Sequence, residues 1–148
     1  MITTETILSK AACGAVYTDY PSVVNHRIRV IARGNHFKLK DGRIVTIRTG
    51  FEWDEASVPW IISWAFPKSG IYSYSALVHD ALYYAQATSR KEADREFLRY
   101  MEATGISWIQ RQFRYLFVRS FGWLYWDKNT NNPSTRAILN KAYYVHVH

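Results

Sequence analysis

The stretch Tyr72-Ser73-Tyr74-Ser75-Ala76-Leu77-Val78-His79-Asp80-Ala81-Leu82-Tyr83-Tyr84-Ala85-Gln86-Ala87, with Thr88-Ser89-Arg90-Lys91-Glu92-Ala93-Asp94 after it, decides how the chain is read. Tyr72 to Ala87 has helical length and almost no polar face, which predicts a helix buried nearly all round. Ser89 to Glu92 spells a capping box, in which the Ser89 hydroxyl and the Glu92 carboxylate satisfy each other's backbone donors. It opens a second helix with Ala93, Phe97 and Met101 inward, stopped by Gly105. The short Thr88-Ser89 connection makes the two helices an antiparallel pair.

His79 and Asp80 sit inside the most apolar helix of the chain, where an ionisable group is costly without a partner. Tyr83 follows His79 by one turn on the same face. Asp80 is rotated by about 100° toward another surface. Antiparallel pairing brings Asp94 back beside His79 and Tyr83. An acceptor such as Asp94 on one imidazole nitrogen fixes the tautomer and stabilises the imidazolium, and the other nitrogen is left to take a proton from water. Tyr83 would hold Asp94 in place. Asp80 remains as a hard oxygen ligand for a cation such as calcium, which polarises a carbonyl or phosphoryl group. The plainer alternative is a buried polar pair that locks two helices together.

Before this pair the chain is β-like. Arg27 to Ile31 alternates basic and apolar residues, as a strand with one wet face does. His36 to Lys40 and Arg43 to Ile47 flank Asp41-Gly42, a dipeptide suited to a two-residue turn that would pair Leu39 with Ile44. Residues 50 to 71 form an aromatic, irregular segment with Trp53, Trp60, Trp64 and Phe66, either packed over the helices or presented to a lipid or protein partner. After Gly105 a third helix is expected from Trp108 to about Trp126, with Phe113, Leu116, Phe117, Phe121 and Leu124 inward. Its Arg111, Arg114 and Arg119, with Arg95 and Arg99 of the second helix, would then lie on a solvated face, stacked on neighbouring aromatics. Asp127 to Asn132 reads as a polar loop, and Asn132-Pro133 as the start of a last short helix through Ala142. The class is α+β, an N-terminal hairpin or small antiparallel sheet followed by three to four helices. One domain over 1–148 is expected, with a β-rich part to about 50, the aromatic loop over 51–71 and a helical part from 72.

Composition narrows the function. The 148 residues carry 19 Lys+Arg against 12 Asp+Glu, a formal charge of +7, and 16% are aromatic, which excludes wholesale disorder. Cys13 is the single cysteine, so there is no internal disulfide and no cysteine-rich zinc cage. The first ten residues do not read as a signal peptide, and no apolar run has the length of a membrane span. The expected setting is a reducing one. His26, His36, His146 and His148 have no metal-ligand spacing, and a zinc site from His79, Asp94 and Asp54 ranks third among the readings. Ser57 follows no nucleophile elbow, no phosphate-binding glycine loop is present, and nucleic acid is not the expected partner.

Phe51 to Pro59, the His79-Asp80-Ala81-Leu82-Tyr83 helix and Arg90-Lys91-Glu92-Ala93-Asp94-Arg95-Glu96-Phe97 together resemble domain-of-unknown-function family 1353. That family's pattern is Thr-Asp-Gly-Ala-Ser-Ile-Pro, an HD-x-x-Tyr helix, then Arg-x-x-Ala-Asp-x-x-Phe. Here Trp53-Asp54-Glu55-Ala56-Ser57-Val58-Pro59 keeps Asp, Ala, Ser and Pro and replaces Thr and Gly. The resemblance runs over roughly residues 37 to 122 and implies a tailed-phage or prophage origin, in the host cytoplasm or the virion. The helix pair alone is also similar to phospholipase A2. That likeness implies His79 as general base, Asp80 as a calcium ligand, and Tyr83 and Asp94 as supports of the histidine. The phospholipase calcium loop is glycine-rich, whereas this chain offers Gly50 and Gly70 with Glu52, Asp54 and Glu55 between them, so either Asp54 supplies a side-chain ligand instead or there is no calcium site. Two functions follow. One is ester hydrolysis by metal-assisted water activation, with a lipid or other ester as substrate. The other is a non-catalytic virion, assembly or host-interaction protein whose His-Asp network is structural and whose partner is a phage or host protein.

Overall fold

Residues 17–21, 27–31, 34–54 and 72–148 are described by the computed structural model, and of these residues 17–21, 27–31, 53, 54, 72 and 73 by their backbone. The alternation of basic and apolar residues at Arg27–Ile31 builds strand β2, which pairs antiparallel with β1 (Tyr17–Pro21) and β5 (Glu52–Asp54). A second antiparallel sheet has the order β3 (Asn35–Lys38), β4 (Ile44–Ile47), β6 (Val145–Val147). Strand β5 falls inside the segment expected to be irregular. The rest of that segment, residues 55–71 with Ser57, Trp60, Trp64 and Phe66, lies outside the described residues.

The hairpin forms where expected but in a different register. Lys38 pairs with Ile44 and Phe37 with Val45, so Leu39 is not opposite Ile44. The turn holds three residues rather than two. Leu39 N–H donates to Arg43 O at 2.8 Å, Gly42 N–H donates to Leu39 O at 3.1 Å, and Gly42 adopts φ 94°. A three-residue loop that ends in a left-handed glycine is the next most common hairpin solution. Because side chains alternate, one residue of slip exchanges faces. Phe37, Leu39, Val45 and Ile47 go to the core, and Ile44 does not.

Helix α1 (Tyr72–Ala85) rests on that face with Leu77, Val78, Ala81 and Leu82 fully buried against Phe37, Val45, Ile47 and Phe51. At about 1.5–3 kcal/mol for each large aliphatic side chain removed from water, this contact is a main source of stability. Helix α2 (Arg90–Ala103) starts at the capping box: Ser89 N–H donates to Glu92 Oε2 at 2.9 Å, and Glu92 N–H donates to Ser89 Oγ at 3.3 Å. Ala93, Phe97 and Met101 are buried, and α1 and α2 pack as the expected antiparallel pair.

The third helix departs from expectation in two ways. It is divided by Gly122 into α3 (Trp108–Phe121) and α4 (Trp123–Asn131), so Asp127 to Asn131 is helical rather than loop. Tertiary bonds hold it: Gln86 Nε2 donates to Trp126 O at 3.0 Å and to Thr130 Oγ1 at 2.8 Å. The rotation of α3 is also the reverse of the expected one. Phe113, Leu116, Phe121 and Leu124 are exposed, and the arginines turn inward. Arg111 pairs with Glu102 at 3.0 Å, Arg114 is buried, and Arg119 reaches Asp94 at 2.7 Å. The Asp94 bond fixes the helix, because a buried carboxylate left without a counter-charge costs several kcal/mol. Of the arginines expected to stack on aromatics, Arg99 does so over Tyr100, 4.6 Å from the ring centre.

The last helix starts later than expected. Ser134 rather than Asn132 caps α5 (Thr135–Leu139), its Oγ accepting from Ala137 N–H at 3.2 Å. A π-helical turn, Asn140–Tyr144, then leads into β6. The wider turn seats buried Asn140 on β5, where its side-chain amide accepts from Glu52 N–H at 3.3 Å and donates to Glu52 O at 2.6 Å. No helix among the described residues is long and apolar enough to cross a membrane.

Candidate functional site

The α1–α2 pairing brings His79, Tyr83 and Asp94 into contact. Asp94 is 0% exposed and His79 is 7% exposed. His79 Nε2 lies 2.9 Å from Asp94 Oδ1, and the Tyr83 hydroxyl donates to the same oxygen at 2.7 Å. The Tyr83 ring lies 4.2 Å from the imidazole centre and Phe97 lies 4.7 Å from it, so the histidine is clamped between aromatic neighbours.

The other carboxylate oxygen is held from α3. Arg119 Nη1 donates to Asp94 Oδ2 at 2.7 Å, and Arg90 Nη1 reaches it at 3.4 Å. Arg90 also donates to Val118 O at 3.3 Å and Arg119 O at 3.2 Å, carbonyls in the last turn of α3. Asp94 therefore joins three helices. Sequence alone puts Arg119 on a solvated face and gives Arg90 no role at the site. The available signal was Arg119 itself, a charge within the long apolar run of α3. Gly122 was missed as well. A Cβ at that position would run into the Tyr83 hydroxyl and the Val118 carbonyl, so only glycine lets the α3–α4 junction close over the site.

Charge and burial oppose each other here. Burial works against protonating His79, but the nearby Asp80 carboxylate and the hydrogen bond and charge of Asp94 outweigh it and lift the imidazole above its ordinary 6.5. Burial likewise works to raise Asp94, and its bonds to His79, Tyr83 and Arg119 reverse the sign, holding the carboxyl below its ordinary 3.8. Burial and then the Asp94 charge drive the Tyr83 hydroxyl upward, so it stays a donor. An ionised Asp94 only accepts hydrogen bonds, which places the proton of neutral His79 on Nε2 and leaves Nδ1 as the basic nitrogen.

Asp80 Oδ1 lies 3.7 Å from His79 Nδ1, near enough to feel its charge and too far for a hydrogen bond. Its side chain is partly exposed. Of Asp54, the second expected cation ligand, the backbone is described, in β5 opposite Ile28. Among the described residues no three His, Cys, Asp or Glu gather as metal ligands. Both oxygens of Asp94 are taken by donors, which removes it from the zinc alternative. Two described cavities, of about 530 and 340 Å³, lie beside β6 and beside α4–α5, and His79, Asp80 and Asp94 line neither.

Comparison with known proteins gives one match. The family model described as "Protein of unknown function (DUF1353)" matches residues 28–118, a span that includes the α1–α2 pair, Arg90 and most of α3. No curated protein and no solved structure matches the chain.

Proposed function

The chain belongs to the DUF1353 family, and from that premise we propose that its His79–Asp94 pair activates water for the hydrolysis of an ester, in the manner of phospholipase A2. One observation carries the reading: Asp94 binds Nε2 of His79, so the imidazole is held in one tautomer with Nδ1 directed away from its orienting carboxylate. Nδ1 is the general base in this scheme. It takes a proton from water as the oxygen attacks the ester carbonyl, and the imidazolium returns that proton to the departing alkoxide. Asp94 stabilises the imidazolium while Arg119 and Tyr83 fix Asp94. The lipid-ester substrate rests on the likeness to phospholipase A2, and a tailed-phage or prophage setting rests on the family resemblance.

Asp80 is a hard oxygen donor of the type calcium takes, and Asp54 is the second proposed ligand. A calcium ion held there would polarise the ester carbonyl.

A structural reading has its own support, because Asp94 bonds to groups on three helices and His79 is nearly buried. On this reading the network is a clasp in a virion, assembly or host-interaction protein. The test is His79→Gln, assayed on a phospholipid panel with calcium and by thermal unfolding. The hydrolase reading expects wild-type turnover, at least 100-fold loss in the variant and a small stability change. No wild-type turnover on any lipid or metal, together with a large drop in thermal midpoint, would rule it out.

A further inference from the structure

We propose that the cavity between β6 and the end of α1 binds a phosphate group, carried by a small molecule or by a lipid headgroup. The register of the β3–β4–β6 sheet gives it two unlike faces. Phe37, Val45, Ile47 and Val145 are buried on one. On the other, Thr46 stands between His36 and His146, its partners on the two neighbouring strands. Lys38 pairs with Ile44, which exchanges backbone hydrogen bonds with His148 at 2.7 and 3.1 Å. Arg48, two residues after Thr46, falls on the same face because side chains alternate along a strand. That face therefore carries Lys38, Arg48 and three histidines, and no acidic side chain.

The cavity of about 530 Å³ opens along β6, where Thr46, Arg48, Lys141, His146 and His148 line it. Its volume is that of a small-molecule site. Arg48 and Lys141 are exposed, and among the described residues neither side chain has an ion-pair or hydrogen-bond partner. Two cations on one cavity repel each other, and an anion placed between them reverses the sign. The acidic residues that flank β3 and β4 in sequence do not supply that anion. Asp41 is paired with Arg43 at 2.7 Å, and Glu52 with Arg136 at 3.3 Å. Backbone oxygens of the lining that would repel an anion are also engaged. Ala87 O accepts from Arg43 Nη1 at 2.8 Å, and His148 O accepts from Ile44 N–H at 2.7 Å.

The chemistry of the lining selects the ligand. Arg48 and Lys141 are donors without an acceptor, the first a planar fork that meets two phosphate oxygens at once and the second a point charge. The His148 ring adds an N–H. A phosphate turns oxygens to several sides and can meet all three, whereas a carboxylate has only two oxygens to offer. Ala85, Ala87, Val145 and Val147 complete the lining, so the rest of the ligand meets small apolar groups. No Phe, Tyr or Trp lines the cavity, which sets it apart from a single-stranded nucleic-acid site, where bases stack on aromatic rings. His79 and Asp94 do not line it either, so the site stands whether or not that pair hydrolyses an ester.

The experiment is calorimetric titration of the full chain with glycerol 3-phosphate. A second arm is co-sedimentation with phosphatidylcholine vesicles, with and without phosphatidic acid. Saturable binding of one molecule per chain is expected, with at least a tenfold rise in dissociation constant for Arg48→Gln, the same for Lys141→Gln, and more for the two together. Both side chains are exposed, so far-UV circular dichroism should be unchanged. Lys91→Gln, on the exposed side of α2, should bind as the wild type does. Binding of glycerol 3-phosphate assigns a soluble ligand, and binding to phosphatidic acid vesicles alone, lost in the double variant, assigns the headgroup. Failure of both arms overturns the proposal, as does binding that the double variant retains. Capture of a duplex oligonucleotide, lost in the double variant while both arms show no binding, gives the face to nucleic acid instead.

Discussion

Replacing Asp94 with alanine removes one acceptor from four donors at once. His79 and Tyr83 are left in the interior without a partner, at 7% and 6% exposure. A buried polar group stripped of its bond costs about 1–3 kcal/mol. Arg90 and Arg119 have side chains 22% and 30% exposed, so both can turn to water and their ion pairs count for little. The expected loss is about 3–5 kcal/mol, the range seen when one member of a buried ion pair is removed. For a chain of this size each kcal/mol moves the thermal midpoint by about 2–4 °C, so a fall of about 10 °C is expected. Urea unfolding followed by circular dichroism gives the free energy, and Arg119→Ala is the internal comparison. It leaves Asp94 with His79, Tyr83 and Arg90, and should cost about 1 kcal/mol. A loss below about 1 kcal/mol for Asp94→Ala, or equal losses in the two variants, would refute the view that Asp94 is the buried centre of the network.

Stability should also depend on pH at both ends. Asp94 is depressed, so its contribution is complete above its ordinary 3.8 and disappears as pH falls through the lower folded value. His79 is raised, so its contribution is complete below 6.5 and disappears as pH climbs through the higher folded value. Urea midpoints across pH should show both declines, and Asp94→Ala should flatten them. If the chain hydrolyses esters, the rising limb of kcat/KM against pH should lie above 6.5 and move down in Asp94→Asn, which removes the carboxylate charge that raises the imidazole. Gly122→Ala should push the Tyr83 hydroxyl off Asp94 and cost about 1–3 kcal/mol, read as a drop in thermal midpoint. Ser89→Ala deletes one half of the capping box and should cost about 1 kcal/mol without altering the fold.

Local chemistry wrote the helix pair into the sequence. A capping box acts within four residues, and the periodicity of Ala93, Phe97 and Met101 needs no distant partner to be read. Two helices with a short connection can pack only as antiparallel neighbours, so the approach of Asp94 to His79 and Tyr83 was legible as well. The hairpin was legible in place but not in register. Asp41-Gly42 suits both a two-residue and a three-residue turn, and burial of Phe37 and Val45 under α1 decides between them.

The rotation of α3 could not be read from its own residues. Judged by hydrophobicity alone, its apolar stripe belongs inside. The structure turns that stripe outward because the buried Asp94 on α2 draws Arg119 of α3 inward. Hydrophobic burial is non-directional and can be met by any apolar partner, including one outside the chain, whereas a fully buried carboxylate must find its counter-charge at bonding distance. The sequence by itself determined which helices form and which ionisable groups meet between the first two. Tertiary structure decided which face of the third helix closes over them, because that depends on where Asp94 stands once α1 and α2 have packed.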